Sequence, residues 1–204
     1  MLENVKKFSE ELLKKIVNKK VHIISHFDTD GITSLAIISK TLKRLGIQFS
    51  TKIVKNLTKE EIDLFPDKIT ILLDLGSGNL DLLSNNKNEI FIIDHHEIDV
   101  NRIKTDNLDN INEVNKEIFK LNNLIILNPH LIKNPETLCS SELAYLLARE
   151  ISENNKDLAY LAILGMVGDV MENQINKIRN QIINDANIEI KKGEKGLYII
   201  NDLN

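Results

Sequence analysis

Glu89-Ile90-Phe91-Ile92-Ile93-Asp94-His95-His96 sets an all-apolar run directly before a carboxylate and two imidazoles. A short apolar run without alternation reads as a strand buried on both faces, the habit of a parallel sheet. The arrangement occurs twice more upstream. Val21-His22-Ile23-Ile24-Ser25 leads into His26-Phe27-Asp28-Thr29-Asp30-Gly31, and Ile69-Thr70-Ile71-Leu72-Leu73 leads into Asp74-Leu75-Gly76-Ser77-Gly78. In an open α/β sheet, ligands bind in the crevice outside the carboxyl ends of the strands. Three strands that end in Asp, two of them with His nearby, gather hard and borderline ligands in one crevice. That combination describes a metal site.

Outward from these runs, strands alternate with helical patterns. This predicts a doubly wound, mostly parallel α/β sheet of about five strands flanked by helices. Before it, residues 1–20 read as an amphipathic helix, with Leu2, Val5, Phe8, Leu12 and Ile16 at helical spacing. Its lysines (Lys6, Lys7, Lys14, Lys15, then Lys19 and Lys20) read as a solvated face. The main domain is expected over 21–187.

Within it, Ile32 to Leu45 is a helix stopped by Gly46, and Ile47 to Val54 a strand. Thr58-Lys59-Glu60-Glu61 is a capping box, Pro66 ends that short helix, and another helix lies near Leu80 to Leu83. Asp99 to Asn123 is an Asn-, Asp- and Glu-rich excursion with an amphipathic piece around Ile111 to Leu121. Leu124 to Leu127 is the fifth strand, with Asn128-Pro129-His130 at its end. Ser140 or Ser141 caps a helix reaching about Glu153, Asp157 caps the next as far as Gly168-Asp169, and Asn173 to Ala186 is a third. Residues 188–204 read as a hairpin or an edge strand around Gly193 and Gly196.

The chain has 204 residues, enough for one α/β domain, with 42 % hydrophobic and 27 % charged residues, an ordinary globular balance. A net charge of −4 argues against gripping nucleic acid by bulk charge alone. It leaves a nuclease open, because bound cations would supply positive charge where a phosphate sits. The single cysteine, Cys139, excludes an internal disulfide and suits a reducing, cytoplasmic setting; it reads as a packing residue. No apolar run is long enough to cross a membrane, and the start lacks the apolar block of a signal peptide.

Taken singly, Asp28-Thr29-Asp30-Gly31, Asp74 before Gly-Ser-Gly, and Gly168-Asp169 are weak signals. Each also occurs in turns, caps and helix ends. Asp94-His95-His96 is stronger, and the four together are strong. In order and spacing the chain resembles the DHH phosphoesterase superfamily. The first motif matches His26 to Gly31, the second Asp74, the third Asp94-His95-His96, and the fourth Asp169 in Gly165-Met166-Val167-Gly168-Asp169. Ser25-His26, Asp74-Leu75-Gly76-Ser77, Asn128-Pro129-His130 and Gly168-Asp169 look most like the archaeal RecJ-like single-strand nucleases.

The resemblance implies two divalent cations, Mn²⁺ preferred and Mg²⁺ possible. Asp28 and Asp74 would hold one. Asp30, Asp74, His95 and Asp169 would hold the other, with Asp74 bridging, and His26 joins the metal set. Asp94 would be a ligand or a group orienting His95. His96 would face the scissile phosphate or lend a proton to the leaving oxygen, and His130 would contact a phosphate. Independently of any family, two ions about 3.5–4 Å apart can lower the pKa of a shared water and clamp both oxygens of an in-line displacement. Mixed carboxylate and imidazole ligands suit Mn²⁺ better than Ca²⁺, and the scarcity of Cys argues against structural Zn²⁺.

The expected activity is hydrolysis of single-stranded DNA or RNA by a metal-activated water, as in an exonuclease of replication or repair. Hydrolysis of short oligonucleotides or cyclic dinucleotides, and a non-catalytic replisome scaffold, are the alternatives. Members of the superfamily usually carry a second, substrate-binding domain, which is expected to be absent here. A separate polypeptide would then supply it, with GINS-type replication proteins as partners by resemblance.

Overall fold

Each apolar run forms a strand because both of its faces find cover. In the computed structural model, which describes residues 1–98, 119–132, 135–187, 189–193 and 196–200, the strands are β1 (Val21–His26), β2 (Phe49–Val54), β3 (Ile69–Leu73), β4 (Ile90–Ile93), β5 (Phe119–Leu121) and β6 (Leu124–Leu127). They make one sheet in the order β2-β1-β3-β4-β6-β5. All neighbours are parallel except β5, which pairs antiparallel with β6. The sheet thus has six strands rather than about five. The extra one is a three-residue edge strand whose brevity hid it among polar neighbours; 99–118, including most of the expected excursion, lie outside the described residues.

The period of two sorts side chains onto opposite faces. Ile23, Ile71, Leu73, Phe91, Ile93, Ile125 and Leu127 face the larger core. Ile24, Leu72, Ile90, Ile92, Leu124 and Ile126 face the smaller one. Helices α1 (Leu2–Ile16), α2 (Thr29–Arg44), α5 (Ser140–Ile151), α6 (Ala159–Gly168) and α7 (Lys177–Ala186) contribute to the larger core. Short α3 (Lys59–Asp63) and α4 (Leu80–Leu83) contribute to the smaller. The apolar stripe of α1 is part of the larger core, with Phe8 edge-on to Phe91 at 5.5 Å. β7 (Glu189–Gly193) and β8 (Gly196–Ile200) form a separate antiparallel hairpin. Among the described residues no helix is long and apolar enough to cross a membrane.

Three expected helix boundaries move, each for a local reason. Helix α2 starts at Thr29 rather than Ile32, capped by Asp28, whose Oδ1 accepts from the Gly31 N–H at 2.9 Å. Ser140 and Ser141 are the first residues of α5, not its cap. Cys139 holds that backbone position, and Glu142 reaches back to its N–H at 2.9 Å. Asp157 does not cap α6; a 3-10 turn over Glu153–Leu158 precedes the helix, and Asp157 pairs with Arg44 at 2.6 Å.

The strand order turns outward on either side of β1 and β3. From β1 the chain goes to β2 on one side, while β3, β4 and β6 build the other. The carboxyl ends of β1 and β3 therefore flank a topological switch point, where such sheets open a crevice.

Candidate metal centre

Asp74 follows β3 with φ +58°, in the left-handed region. That conformation is uncommon outside glycine, though Asp and Asn tolerate it best, and it clusters at functional sites. Its carboxylate is buried and its two oxygens face different partners. Oδ2 lies 3.3 Å from His26 Nδ1 at the end of β1. Oδ1 lies 3.5 Å from His95 Nε2 beyond β4 and accepts from Ser140 Oγ at 3.0 Å.

On the Oδ2 side, His26 Nδ1 also approaches Asp28 Oδ2 at 2.8 Å. On the Oδ1 side, His95 Nε2 stands 3.9 Å from Asp30 Oδ2 and 3.6 Å from Asp169 Oδ2. The contacts of His95 are too long for hydrogen bonds. They nevertheless bring an imidazole nitrogen and three carboxylates into one cup. Among the described residues three donor groups lie within 4.8 Å: His26–Asp28–Asp74, Asp30–His95–Asp169, and Asp74–His95–His96. The third competes with a better bond, since His96 Nδ1 sits 2.8 Å from Asp94 Oδ1 and 3.8 Å from Asp74.

Asp94 departs from its expected place among the ligands. It is buried and joins none of the three groups. Its Oδ1 accepts from the His95 N–H at 2.8 Å and the His96 N–H at 3.3 Å, besides the His96 ring, and its Oδ2 accepts from the Ser77 N–H at 2.8 Å. The ring it orients is that of His96, not His95. Burial would raise its pKa, but the His96 ring and Ser77 outweigh this and hold it at about 2. His96 rises to about 9, first through its bond to Asp94 and against the pull of burial. His130 is exposed on the turn after β6 and also joins none of the groups; its N–H donates to Asn128 Oδ1 at 2.8 Å.

The electrostatics are those of carboxylates lacking countercharge. Burial, followed by the charges of Asp30, Asp28 and Asp94, raises Asp74 to about 6 although His95 opposes it. Asp169 is also raised, first by burial and then by Asp30 and Asp28 against His95, and its Oδ2 is buried without a hydrogen-bond partner. Burial lowers His95, yet Asp74, Asp30 and Asp169 overcome it and leave the imidazole above its ordinary value. Crowded, partly orphaned carboxylates beside imidazoles fit divalent cations with borderline preferences.

Long-range packing assembles this crowd. Asp30 caps α5: its oxygens accept from the Ser140 N–H at 2.7 Å and the Ser141 N–H at 2.9 Å. This places a carboxylate at a helix N-terminus, where the dipole favours it. Asp169 arrives at the end of α6 because that helix packs unusually close. A Cβ on Gly165 would lie 2.0 Å from Ser141 Oγ, and one on Gly168 would lie 2.4 Å from Thr29 Cβ. Gly168 is the last residue of α6 and its φ is not positive, so its role is close contact with α2, not a left-handed cap. Gly31 likewise serves packing: a Cβ there would sit 2.4 Å from the His26 carbonyl oxygen.

The sequence from 20 to 166 matches the model of the DHH family, N-terminal domain. The chain belongs to the DHH family. It is 30 % identical over 195 residues to the uncharacterized protein MJ0831 of Methanocaldococcus jannaschii, covering 91 % of this chain and 41 % of that protein. The DHH chain therefore spans about two-fifths of its curated relative. Its fold is shared with exonuclease RecJ bound to manganese (TM-score 0.67, 18 % identity, 90 % of this chain and 47 % of that one). It is shared also with CDC45 from Entamoeba histolytica (TM-score 0.60, 17 % identity, 89 % and 37 %).

Several residues around this DHH site have contacts that the sequence did not reveal. Asn128 is buried and donates to Ser77 Oγ and to the His96 carbonyl, both at 2.9 Å, fixing the loop that bears the imidazoles. Asn128-Pro129-His130 was legible as the end of the fifth strand, but these bonds were not. Arg179 is fully buried and bidentate to Glu142, at 2.7 and 2.8 Å. It also donates to the carbonyls of Met171 at 3.0 Å and Gln174 at 2.6 Å, holding the segment after Asp169 to the start of α5. An arginine in a polar helix and a glutamate 37 positions earlier give no sign of pairing.

Proposed function

We propose that this chain is a metal-dependent phosphodiesterase that hydrolyses single-stranded nucleic acid. Membership of the DHH family and the manganese-bound RecJ with the same fold support the reading. The observation that carries it is the division of Asp74: one oxygen faces His26 and Asp28, the other faces His95, Asp30 and Asp169. A carboxylate so placed is suited to bridge two cations. His26, Asp28 and Asp74 would hold one, and Asp30, Asp74, His95 and Asp169 the other, with Mn²⁺ preferred over Mg²⁺. When bound, such a pair supplies Lewis-acid charge at the phosphate and a water of lowered pKa.

The chain's own residues supply orientation and a proton. Asp94 fixes Nδ1 of His96, leaving Nε2 of a half-exposed ring as the free atom. With its pKa at about 9, the ring is protonated at neutral pH, and Nε2 can give its proton to the leaving oxygen. Asn128 keeps the loop in register for that transfer. The wider grip on the strand would come from a separate polypeptide that supplies a substrate-binding domain.

The test is cleavage of end-labelled single-stranded DNA and RNA with Mn²⁺, wild type against Asp74→Ala, with bound metal counted in both. Cleavage and metal lost together support the reading. Cleavage that survives in Asp74→Ala overturns it.

A further inference from the structure

At the opposite end of the sheet, two cavities meet. One, about 530 Å³, is lined by Lys20, Lys43, Lys68, Ser50 and Phe49 among others. The other, about 580 Å³, is lined half by Leu13, Ile16, Val17, Leu45 and Ile47 and otherwise mostly by polar residues, Lys19 among them. They share Lys20, Gly46, Ile47 and Gln48, so they form one cleft with a basic lobe and a mixed lobe that carries an apolar wall. Among the described residues neither is lined by a carboxylate. Among the described residues Lys20, Lys43 and Lys68 make no ion pair, whereas Lys15 and Lys52 nearby are paired with Glu89 and Glu61.

Lys43 lies in the last turn of α2, where a cation offsets the helix dipole. Lys68 precedes β3 and belongs to no helix, so that reason does not cover it. The local field is positive enough to act on a neighbour. His22, 2.9 Å from Ser50 Oγ, is held below its ordinary value first by burial and then by Lys68 and Lys52. In a chain of net charge −4, this is a concentration of cations with no ion-paired acid among the described residues.

We infer that the cleft at the amino end of β1 to β3 binds a nucleotide, its phosphates among Lys20, Lys43, Lys68 and Ser50 and its ring against the apolar wall of Leu13, Ile16, Val17, Leu45 and Ile47. The volumes suit a small ligand. A single strand would want a continuous groove with successive aromatics, and Phe49 is the only aromatic that lines either cavity. The six residues of β1 separate the cleft from the metal centre by about 20 Å, so this site is distinct from it.

Calorimetric titration of ADP and of pyrophosphate into metal-free protein, held in EDTA, tests the assignment. The wild type is expected to bind one ADP with Kd below about 1 mM and pyrophosphate more weakly. The double variant Lys43→Gln, Lys68→Gln should bind ADP at least about tenfold more weakly while melting like the wild type. Asp74→Asn should bind it unchanged. No heat with ADP up to about 10 mM, pyrophosphate binding as tightly as ADP, or binding lost in Asp74→Asn but kept in the lysine variant would each overturn it.

Discussion

The two ends of one parallel sheet carry opposite charge, and they are built differently. At the carboxyl end, Asp28, Asp30, Asp74 and Asp169 converge around His26 and His95, and Asp74 is raised to about 6. At the amino end, Lys20, Lys43 and Lys68 line a cleft without an acid among the described residues. The acidic end is held rigidly by caps, buried ion pairs and close helix packing; the basic end rests on exposed or half-exposed side chains. Charge repulsion is tolerated where the scaffold enforces it. Where the scaffold is looser, the charge stays near solvent.

The largest effect should come from Asp74→Asn. Activity should fall by at least about 10³-fold, the scale of a single electrostatic contributor at a reacting centre. The metal-free protein should become more stable, by about 3 kcal/mol at pH 7, because the substitution removes a raised carboxyl and Asn accepts the left-handed backbone. Denaturant melts in EDTA check this. A destabilised variant would mean that the carboxylate is structural.

Arg179→Ala probes the scaffold of the same end. It strands buried Glu142 and frees the segment after Asp169, so a loss of about 3–5 kcal/mol is expected, with weaker metal uptake. Gly168→Ala should cost about 1–3 kcal/mol by overpacking against Thr29 and should displace Asp169. If Gly168→Ala melts normally and keeps its metal affinity, close packing of α6 is not what positions Asp169.

The smallest effects are in pH. The carboxyl of Asp74 is at about 6 in the fold against an ordinary 3.8. A raised folded pKa contributes stability below the unfolded value, and the contribution is lost as pH rises through 6. Metal-free protein should therefore lose stability from pH 4 to 7 through this group. The gain in Tm from added Mn²⁺ should shrink as pH falls below 6. On the basic side, cleavage should decline as His96 loses its proton, at a pH below about 9, because bound cations offset the charges of Asp74 and Asp169 that help to raise it. Asp94→Asn should move that limb toward 6.5, which kinetics across pH 6 to 10 would resolve.

Much of the acidic end was legible in the sequence because strand and motif coincide. Ile69 to Leu73 and Ile90 to Ile93 are continuous apolar runs, and the residue after each is an aspartate. The rule that sheets bind ligands beyond their carboxyl ends then places Asp74 and Asp94 without further information. What stayed hidden depends on contacts between distant positions. Asp30 capping a helix 110 residues away leaves no periodic trace. Nor does the distinction between Asp94, saturated by hydrogen bonds, and Asp169, with an orphaned oxygen. Gly168 resembled ordinary helix punctuation and Gly165 only a motif position, and the approach of Ser141 and Thr29 shows why a side chain is forbidden there. The amino end was less legible still, since its lysines come from separate segments that only the fold brings together.

The most direct test is anomalous scattering from a crystal of this protein soaked in manganese. Two peaks are expected, one beside His26 and Asp28 and one beside His95, Asp30 and Asp169, each touching a different oxygen of Asp74. A single peak away from Asp74, or none at a manganese concentration that supports cleavage, would contradict the bridging role on which the proposed chemistry depends.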